Sequence, residues 1–389
     1  MLNIKTYNKI SNYGLDEFDK NKYVVGDEID SPDGAIVRSA ALHDIEFPDT
    51  LKAIARAGAG TNNIPIDKCS EKGIVVFNTP GANANAVKEL VLAGLFLSSR
   101  RVIPAIEWAK TLKGNGAEVG KMVEKGKSAF AGPEIAGKKL GIIGLGAIGV
   151  LVANAADKLG MKVYGYDPYL SITSAWNLTH NVTRAFSVDE IYKNCDYISL
   201  HIPLTPDTKG SVNADAINMM KDGVRILNFA RGELVDSAAL ISALDSGKVA
   251  SYITDFPSDD VIGVEGVIAI PHLGASTPES EDNCAKMAAQ ELIDYLENGN
   301  ILNSVNLPNI SMPRTDGKRI CIIHKNVPNV LSTITKIVAE DNVNIENMLN
   351  KSKGDYAYTM LDYNNDDANT DKFVADITAM SDVIKVRVI

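Results

Sequence analysis

Between residues 140 and 167 the chain carries an order of features that few folds accept. Residues 140–143 form a short apolar run that reads as a buried strand, and Gly144-Leu145-Gly146-Ala147-Ile148-Gly149 follows it as G-x-G-x-x-G. Apolar periodicity then predicts a helix over 147–159 and a second strand over 161–166. The glycines permit a tight turn, close approach of a pyrophosphate and close packing of helix on strand, while the helix start offers unpaired N–H donors to the anion. Asp167 closes the second strand, 18 residues after Gly149. A carboxylate there accepts hydrogen bonds from a ribose diol and repels a 2′-phosphate, and neither Pro168 nor Tyr169 brings a compensating cation. The segment therefore predicts a βαβ unit that holds NAD rather than NADP.

The same alternation extends in both directions. Ala35-Ile36-Val37, Ala53-Ile54-Ala55 and Ile74-Val75-Val76-Phe77 read as buried strands, with the clearest early helix at 84–99. Further strands are predicted at 197–200, 224–228, 251–254 and 267–270, most of them separated by helical segments. Parallel, doubly wound α/β layers explain this order. At 303–318 the texture changes to Asn, Pro, Ser, Arg and Gly, which reads as a linker. Beyond it, strands at 319–324, 343–349, 357–362 and 384–389, with helices at 330–341 and 370–380, follow a ferredoxin-like βαββαβ order. At about 150 residues per domain the length accommodates two to three domains. The expected fold is α/β, with two Rossmann-like doubly wound domains and a C-terminal ferredoxin-like domain. The expected partition is a discontinuous substrate domain (1–98 and 282–310), a cofactor domain (99–281) and a third domain (318–389).

Composition narrows the function. The net charge of −10 is the wrong sign for a general nucleic-acid binder. No stretch approaches the roughly 18 uninterrupted apolar residues of a membrane span, and residues 1–9 lack the apolar centre of a signal peptide. Cys69, Cys195, Cys284 and Cys321 are too scattered for a redox or metal motif, so a cytoplasmic protein with no bound metal is expected.

Hydride chemistry on an alcohol needs a proton acceptor, and the chain has five histidines. His43 and His180 sit in polar, loop-like stretches. His201 ends the 197–200 strand, where it either lines the cofactor pocket or packs. His272 follows Pro271 at the end of the 267–270 strand and precedes the small-residue run Gly274-Ala275-Ser276-Thr277. Arg231, after Leu227-Asn228-Phe229-Ala230, also ends a strand, where a guanidinium can grip a carboxylate through two parallel hydrogen bonds. Ligands bind at this carboxyl edge of doubly wound sheets.

Residues 141–149 and 228–232, Asp255-Phe256, and Pro271-His272-Leu273-Gly274-Ala275-Ser276-Thr277 together resemble the D-isomer specific 2-hydroxyacid dehydrogenases, with similarity from about Val37 to the C-terminus. The resemblance implies an active site of arginine, carboxylate and histidine. It puts Arg231 on the substrate carboxylate and C2 oxygen, His272 in the acid/base role and Asp255 at the nicotinamide end of NAD. It completes the cofactor site with Gly144, Gly146, Ala147, Ile148, Gly149, Asp167, His201, Pro203, Ala230 and Gly274. The family run is aspartate, valine, phenylalanine, two variable residues, then glutamate and proline. Here Asp255-Phe256-Pro257-Ser258-Asp259-Asp260 is one residue shorter, so Asp259 takes the glutamate's place, with Asp260 beside it and Glu265 farther on.

The same resemblance places Arg38 and Arg56 on a substrate phosphate, the Gly58-Ala59-Gly60 amides on the substrate carboxylate, and Asn83 in the same cleft. The implied reaction is NAD-dependent oxidation of 3-phospho-D-glycerate to 3-phosphohydroxypyruvate, the first step towards L-serine, between two domains that close. Two other readings compete: oxidation or reduction of another 2-hydroxy acid of the glyoxylate or lactate type, and an NAD-sensing binding protein without turnover.

Ile323-His324-Lys325-Asn326-Val327-Pro328-Asn329-Val330-Leu331 resembles the opening of an ACT regulatory domain, and Asn344 follows His324 by 20 residues. His324, Asn326 and Asn344 can supply donors and acceptors to a small amino acid. L-serine is the expected effector, bound where ACT domains of neighbouring subunits pair in a homodimer or homotetramer. Asn329 stands where a glycine is usual, which suits a left-handed backbone.

Overall fold

The computed structural model describes residues 1–341, 343–363 and 370–389. They divide into two compact units, 1–83 with 278–389, and 84–277.

The first unit opens on a parallel sheet. Its strands β1 (Leu2–Thr6), β2 (Tyr23–Gly26), β3 (Gly34–Val37), β4 (Ala53–Arg56) and β5 (Val75–Asn78) lie in the order β2-β1-β3-β4-β5. Strands β3 to β5 are covered on both faces and so read as continuous apolar runs. β1 and β2 escape the apolar-run reading because each buries a single residue, Ile4 and Tyr23, among half-exposed and polar neighbours.

The second unit holds β6 (Lys139–Ile143), β7 (Lys162–Tyr166), β8 (Thr183–Arg184), β9 (Tyr197–Leu200), β10 (Val224–Asn228), β11 (Val249–Thr254) and β12 (Val267–Ala269). They form one parallel sheet in the order β12-β11-β10-β9-β6-β7-β8. Strand order reverses between β6 and β9, which opens a crevice at their carboxyl ends. The helix Ala84–Arg100, read from sequence as the end of the first domain, packs here. At Gly94 a Cβ would lie 3.0 Å from the Phe229 ring and 3.2 Å from Ile253.

The C-terminal strands β13 (Lys318–Lys325), β14 (Ile345–Lys353), β15 (Tyr356–Tyr363) and β16 (Val383–Val388) form an antiparallel sheet in the order β14-β15-β13-β16. Period-two alternation sends Ile320, Ile322, Leu361 and Tyr363 towards Ile334, Val338, Phe373 and Ile377 of the helices Val330–Glu340 and Thr370–Thr378. The opposite set, Cys321, Ile323, Tyr358 and Met360, joins a core with Ile4, Ile36, Ala288, Leu292 and Tyr295. The third module therefore shares its core with the first sheet.

The connection read as a linker is correspondingly anchored. The Asn306 side chain accepts from the Val76 amide at 2.9 Å and donates to the Ile74 carbonyl at 2.9 Å and the Ser70 hydroxyl at 3.1 Å. Arg319 and Asp362, both fully buried, form a two-pronged pair at 2.6 and 2.8 Å. Arg319 also donates to the carbonyls of Asn298, Met312 and Pro313. Arg387 donates to the carbonyls of Tyr295 and Leu296 and lies 4.4 Å from the Tyr295 ring centroid.

Glu291, in the helix Pro278–Asn298, is buried, and its Oε1 accepts from Asn303 at 2.8 Å. Burial pushes its carboxyl from 4.5 to about 8, against the opposing effect of that hydrogen bond. The folded chain thus keeps a proton that the unfolded chain releases between pH 4.5 and about 8. Through that window this group makes stability fall as pH rises, and it stops doing so above the folded value. Glu291→Gln is expected to flatten the fall, read as the change in urea midpoint with pH relative to the unsubstituted protein. An identical slope in both would show that Glu291 is ionised in the fold.

Candidate active site

In the second unit, Gly144 adopts φ 95°, and a Cβ there would sit 2.5 Å from the His201 carbonyl oxygen. A Cβ at Gly149 would meet the Gly144 carbonyl at 2.0 Å, whereas Gly146 faces open space. Two glycines are thus demanded by packing, and the third leaves room for a ligand at the start of the helix Ala147–Lys158. The Asp167 carboxylate accepts the amides of Leu145 and Tyr169, each at 2.8 Å, which fixes it beside the turn. His201 hydrogen-bonds through Nε2 to Ser199 at 2.8 Å. Burial pushes its pKa down to about 4, so it is a neutral wall residue near neutral pH. Pro203 lies exposed just beyond, its carbonyl accepting from Thr208. An open turn, free helix-start donors and a carboxylate at the next strand end fit a dinucleotide.

Three strand ends of the same sheet hold the reactive candidates. After β10, buried Asn228 donates to the Arg231 carbonyl at 2.8 Å and accepts the Ala230 amide at 3.2 Å, so the turn that carries Arg231 is braced from inside. Arg231 is exposed, bonded to the Ala230 carbonyl, and its guanidinium lies 5.6 Å from the Phe256 ring centroid. After β11, Asp255 is buried and accepts the amides of Leu273 and Gly274 at 2.6 and 2.7 Å. Burial raises its pKa, with those two amides and the neighbouring His272 charge pulling the other way. After β12, His272 stands exposed at φ 52°, its ring 4.8 Å from that of Phe256. Gly274 is required here, since a Cβ would approach Asp255 Oδ2 to 2.9 Å.

No carboxylate hydrogen-bonds to the His272 imidazole among the described residues. Asp259 is exposed and makes no hydrogen bond or ion pair among the described residues. Asp260 lines a cavity of about 570 Å³ with His272, Asp255, Phe256 and Glu233, without bonding to the imidazole. Glu265 precedes β12 and lies at the opposite, amino edge of the sheet, in the wall of a cavity with Arg225 and Gly247. Phe256, unremarked in sequence beyond its place in the motif, is the side chain whose ring lies against the imidazole. An aromatic directly after a buried strand-end aspartate was the available signal.

In the first unit, Arg38 ends β3 and pairs with Glu281 at 2.6 Å, both side chains about two-fifths exposed. Arg56 ends β4, and its Nε donates to the Arg38 carbonyl at 3.1 Å. Gly58 adopts φ 151°, a backbone conformation that favours glycine, and lies against the Arg56 guanidinium, with a Cβ position 2.1 Å from Nη1. Its amide is spent on the Arg56 carbonyl, so of the three expected amide donors only those of Ala59 and Gly60 remain without a protein acceptor among the described residues. Asn78 steadies this loop by donating to the Ala59 carbonyl at 2.6 Å, and Asn83 lies half-buried two residues past Gly81.

In the third module Asn329 adopts φ 71°, the left-handed conformation its position requires. His324, expected at the effector, is turned inward. It is 2% exposed, with Nδ1 at 2.7 Å from the Lys325 carbonyl and Nε2 at 3.0 Å from Thr359 Oγ1. Asn326 is exposed and donates to the Gly354 carbonyl, and Asn344 is exposed.

A parallel sheet with an open glycine turn, a carboxylate at the following strand end, and arginine and histidine on its carboxyl edge defines an NAD-binding oxidoreductase of the 2-hydroxyacid dehydrogenase class. Comparison with known proteins agrees. Residues 95–274 match the D-isomer specific 2-hydroxyacid dehydrogenase NAD binding domain, and 320–385 match the ACT domain of the AHAS small subunit type. D-3-phosphoglycerate dehydrogenase of Haemophilus influenzae is 35% identical over 337 residues, 84% of this chain and 78% of that protein. The Escherichia coli enzyme of the same name is 34% identical over 89% of this chain and 83% of its own length. A solved, NAD+-bound 3-phosphoglycerate dehydrogenase of Entamoeba histolytica is 29% identical with TM-score 0.59, covering 78% of this chain and 98% of that one. The chain belongs to the D-3-phosphoglycerate dehydrogenase family. Among the described residues, no helix is long and apolar enough to cross a membrane.

Proposed function

We propose that the chain oxidises 3-phospho-D-glycerate at C2 to 3-phosphohydroxypyruvate, the first step towards L-serine. NAD, when bound at the glycine turn, supplies the hydride acceptor. The His272 imidazole takes the C2 hydroxyl proton, while Arg231 holds the substrate carboxylate and stabilises the developing carbonyl oxygen. The observation that supports this most is the pairing of Arg231 and His272 on one Phe256 ring, with the imidazole nitrogens uncommitted among the described residues.

Arg38 and Arg56 are the proposed phosphate ligands, with Ala59 and Gly60 donating to the substrate carboxylate. The half-exposed Arg38–Glu281 pair contributes about 0–1 kcal/mol, so a phosphate dianion can take over Arg38 at small cost. This favours a phosphorylated substrate over glyoxylate or lactate. NADH formation from 3-phospho-D-glycerate, D-glycerate and D-lactate tests the choice. The phosphorylated acid is expected to give a kcat/KM at least about 100-fold above the others, and equal values would contradict it.

L-serine is the proposed effector at the third module, with Asn326 and Asn344 as its exposed polar contacts. Calorimetry should register saturable heat that Asn344→Ala weakens; no heat and unchanged kinetics with serine would remove it. The chain is proposed to work as a homodimer or homotetramer, the uncovered apolar residues Val102, Ile103, Ile106, Met122 and Val123 of the 101–131 segment meeting a second copy.

A further inference from the structure

Histidines that move protons are commonly oriented by a hydrogen bond from a second group, most often a carboxylate. His272 has none among the described residues. What touches its ring is Phe256, with centroids 4.8 Å apart and planes inclined by 46°. The same phenyl ring has the Arg231 guanidinium 5.6 Å from its centroid. One aromatic side chain thus stands in contact with both groups to which the reaction is assigned.

The surrounding backbone fixes that ring. The Phe256 amide donates to Thr254 Oγ1 at 3.0 Å. Gly232, the residue after Arg231, allows close approach, since a Cβ there would lie 3.3 Å from the Phe256 Cβ. Immediately before it, Asp255 holds the amides of Leu273 and Gly274, the two residues after His272. Asp255 and Phe256 therefore clamp one loop, the first by its backbone and the second by its imidazole. His272 needs such support, because its left-handed φ of 52° is a strained conformation for a residue with a side chain.

We propose that Phe256 is a positioning residue of the reaction. Its ring sets the orientation of His272 and the spacing between His272 and Arg231. The face of an aromatic ring carries partial negative charge, so it attracts the guanidinium and accommodates an imidazolium as the proton arrives. The proposal rests on the assignment of Arg231 and His272 as the reactive pair.

The test compares Phe256→Leu and Phe256→Met, which keep an apolar side chain of similar volume but remove the aromatic face, with Phe256→Tyr, which keeps it. Steady-state kinetics with NAD and 3-phospho-D-glycerate would be read alongside NADH affinity. The aliphatic variants are expected to lose kcat on the order of tenfold or more with little change in NADH binding, and Tyr to restore most of it. One result would overturn the proposal: aliphatic and tyrosine variants with the same kcat. Should Phe256→Leu fail to fold, the contrast of Met with Tyr still decides. His272→Ala separates the two levels of failure. If that variant is inactive while Phe256→Leu equals the unsubstituted enzyme, only the positioning role falls; if His272→Ala is fully active, the assignment of the reactive pair falls.

Discussion

His272→Ala is expected to lower kcat for 3-phospho-D-glycerate oxidation by about 10²–10⁴-fold, the usual contribution of a positioned general base. NADH affinity should change far less. The imidazole packs on Phe256 and makes no hydrogen bond among the described residues, and the nearby backbone is held by Asp255 whatever occupies position 272. Truncation also leaves no buried polar partner orphaned, because the side chain is exposed, so the variant should fold. Stopped-flow hydride transfer and fluorescence titration with NADH separate the two quantities. Equal losses in both would mean that His272 serves binding rather than chemistry.

The second large effect concerns the third module. Asp362→Ala should destabilise the first unit by about 3–5 kcal/mol, since it strands the Arg319 charge in a site where both side chains are at most 1% exposed. Arg319 would keep its three carbonyl acceptors but lose the Asp362 counter-charge. Protection of the β13 and β15 amides from hydrogen exchange should fall by about 10²- to 4 × 10³-fold, using 1.4 kcal/mol per tenfold change. Replacing both partners with apolar residues, Arg319→Met with Asp362→Leu, should recover most of the loss. Unchanged protection in Asp362→Ala would mean that the pair holds nothing together.

That pair matters because of where it is fastened. Arg319 and Arg387 grip carbonyls at the end of the helix Pro278–Asn298, while Glu281 in its first turn holds Arg38. One helix therefore joins the antiparallel sheet to an arginine proposed for the substrate phosphate.

Much of this was legible in the residues. The βαβ unit from β6 to β7 declared itself because glycine spacing, apolar runs and the strand-end aspartate all obey one geometry. The ferredoxin-like order was equally plain, since β13 and β15 are buried almost throughout and stand out as continuous runs between polar punctuation. What stayed hidden depends on side-chain direction or on partners distant in sequence. The Asn-rich stretch around Asn306 reads as loop, but nothing local says that its amide is a clamp on β5. His324 looks like a ligand group until Thr359, 35 residues on, takes its Nε2. Asp259 keeps the expected spacing from Phe256 and is exposed, and the contact of Phe256 with both His272 and Arg231 emerges only when three strand ends are brought side by side.

The central claim is hydride transfer from C2 of 3-phospho-D-glycerate to NAD at the Arg231–His272 edge. It is tested most directly by incubating the full chain with NAD and 3-phospho-D-glycerate deuterated at C2, then analysing the reduced cofactor by mass spectrometry. The predicted result is one deuterium in each NADH formed, together with 3-phosphohydroxypyruvate, and none of either with His272→Ala on the same timescale. Reduced cofactor without deuterium, or no reduced cofactor from the unsubstituted chain, would contradict it.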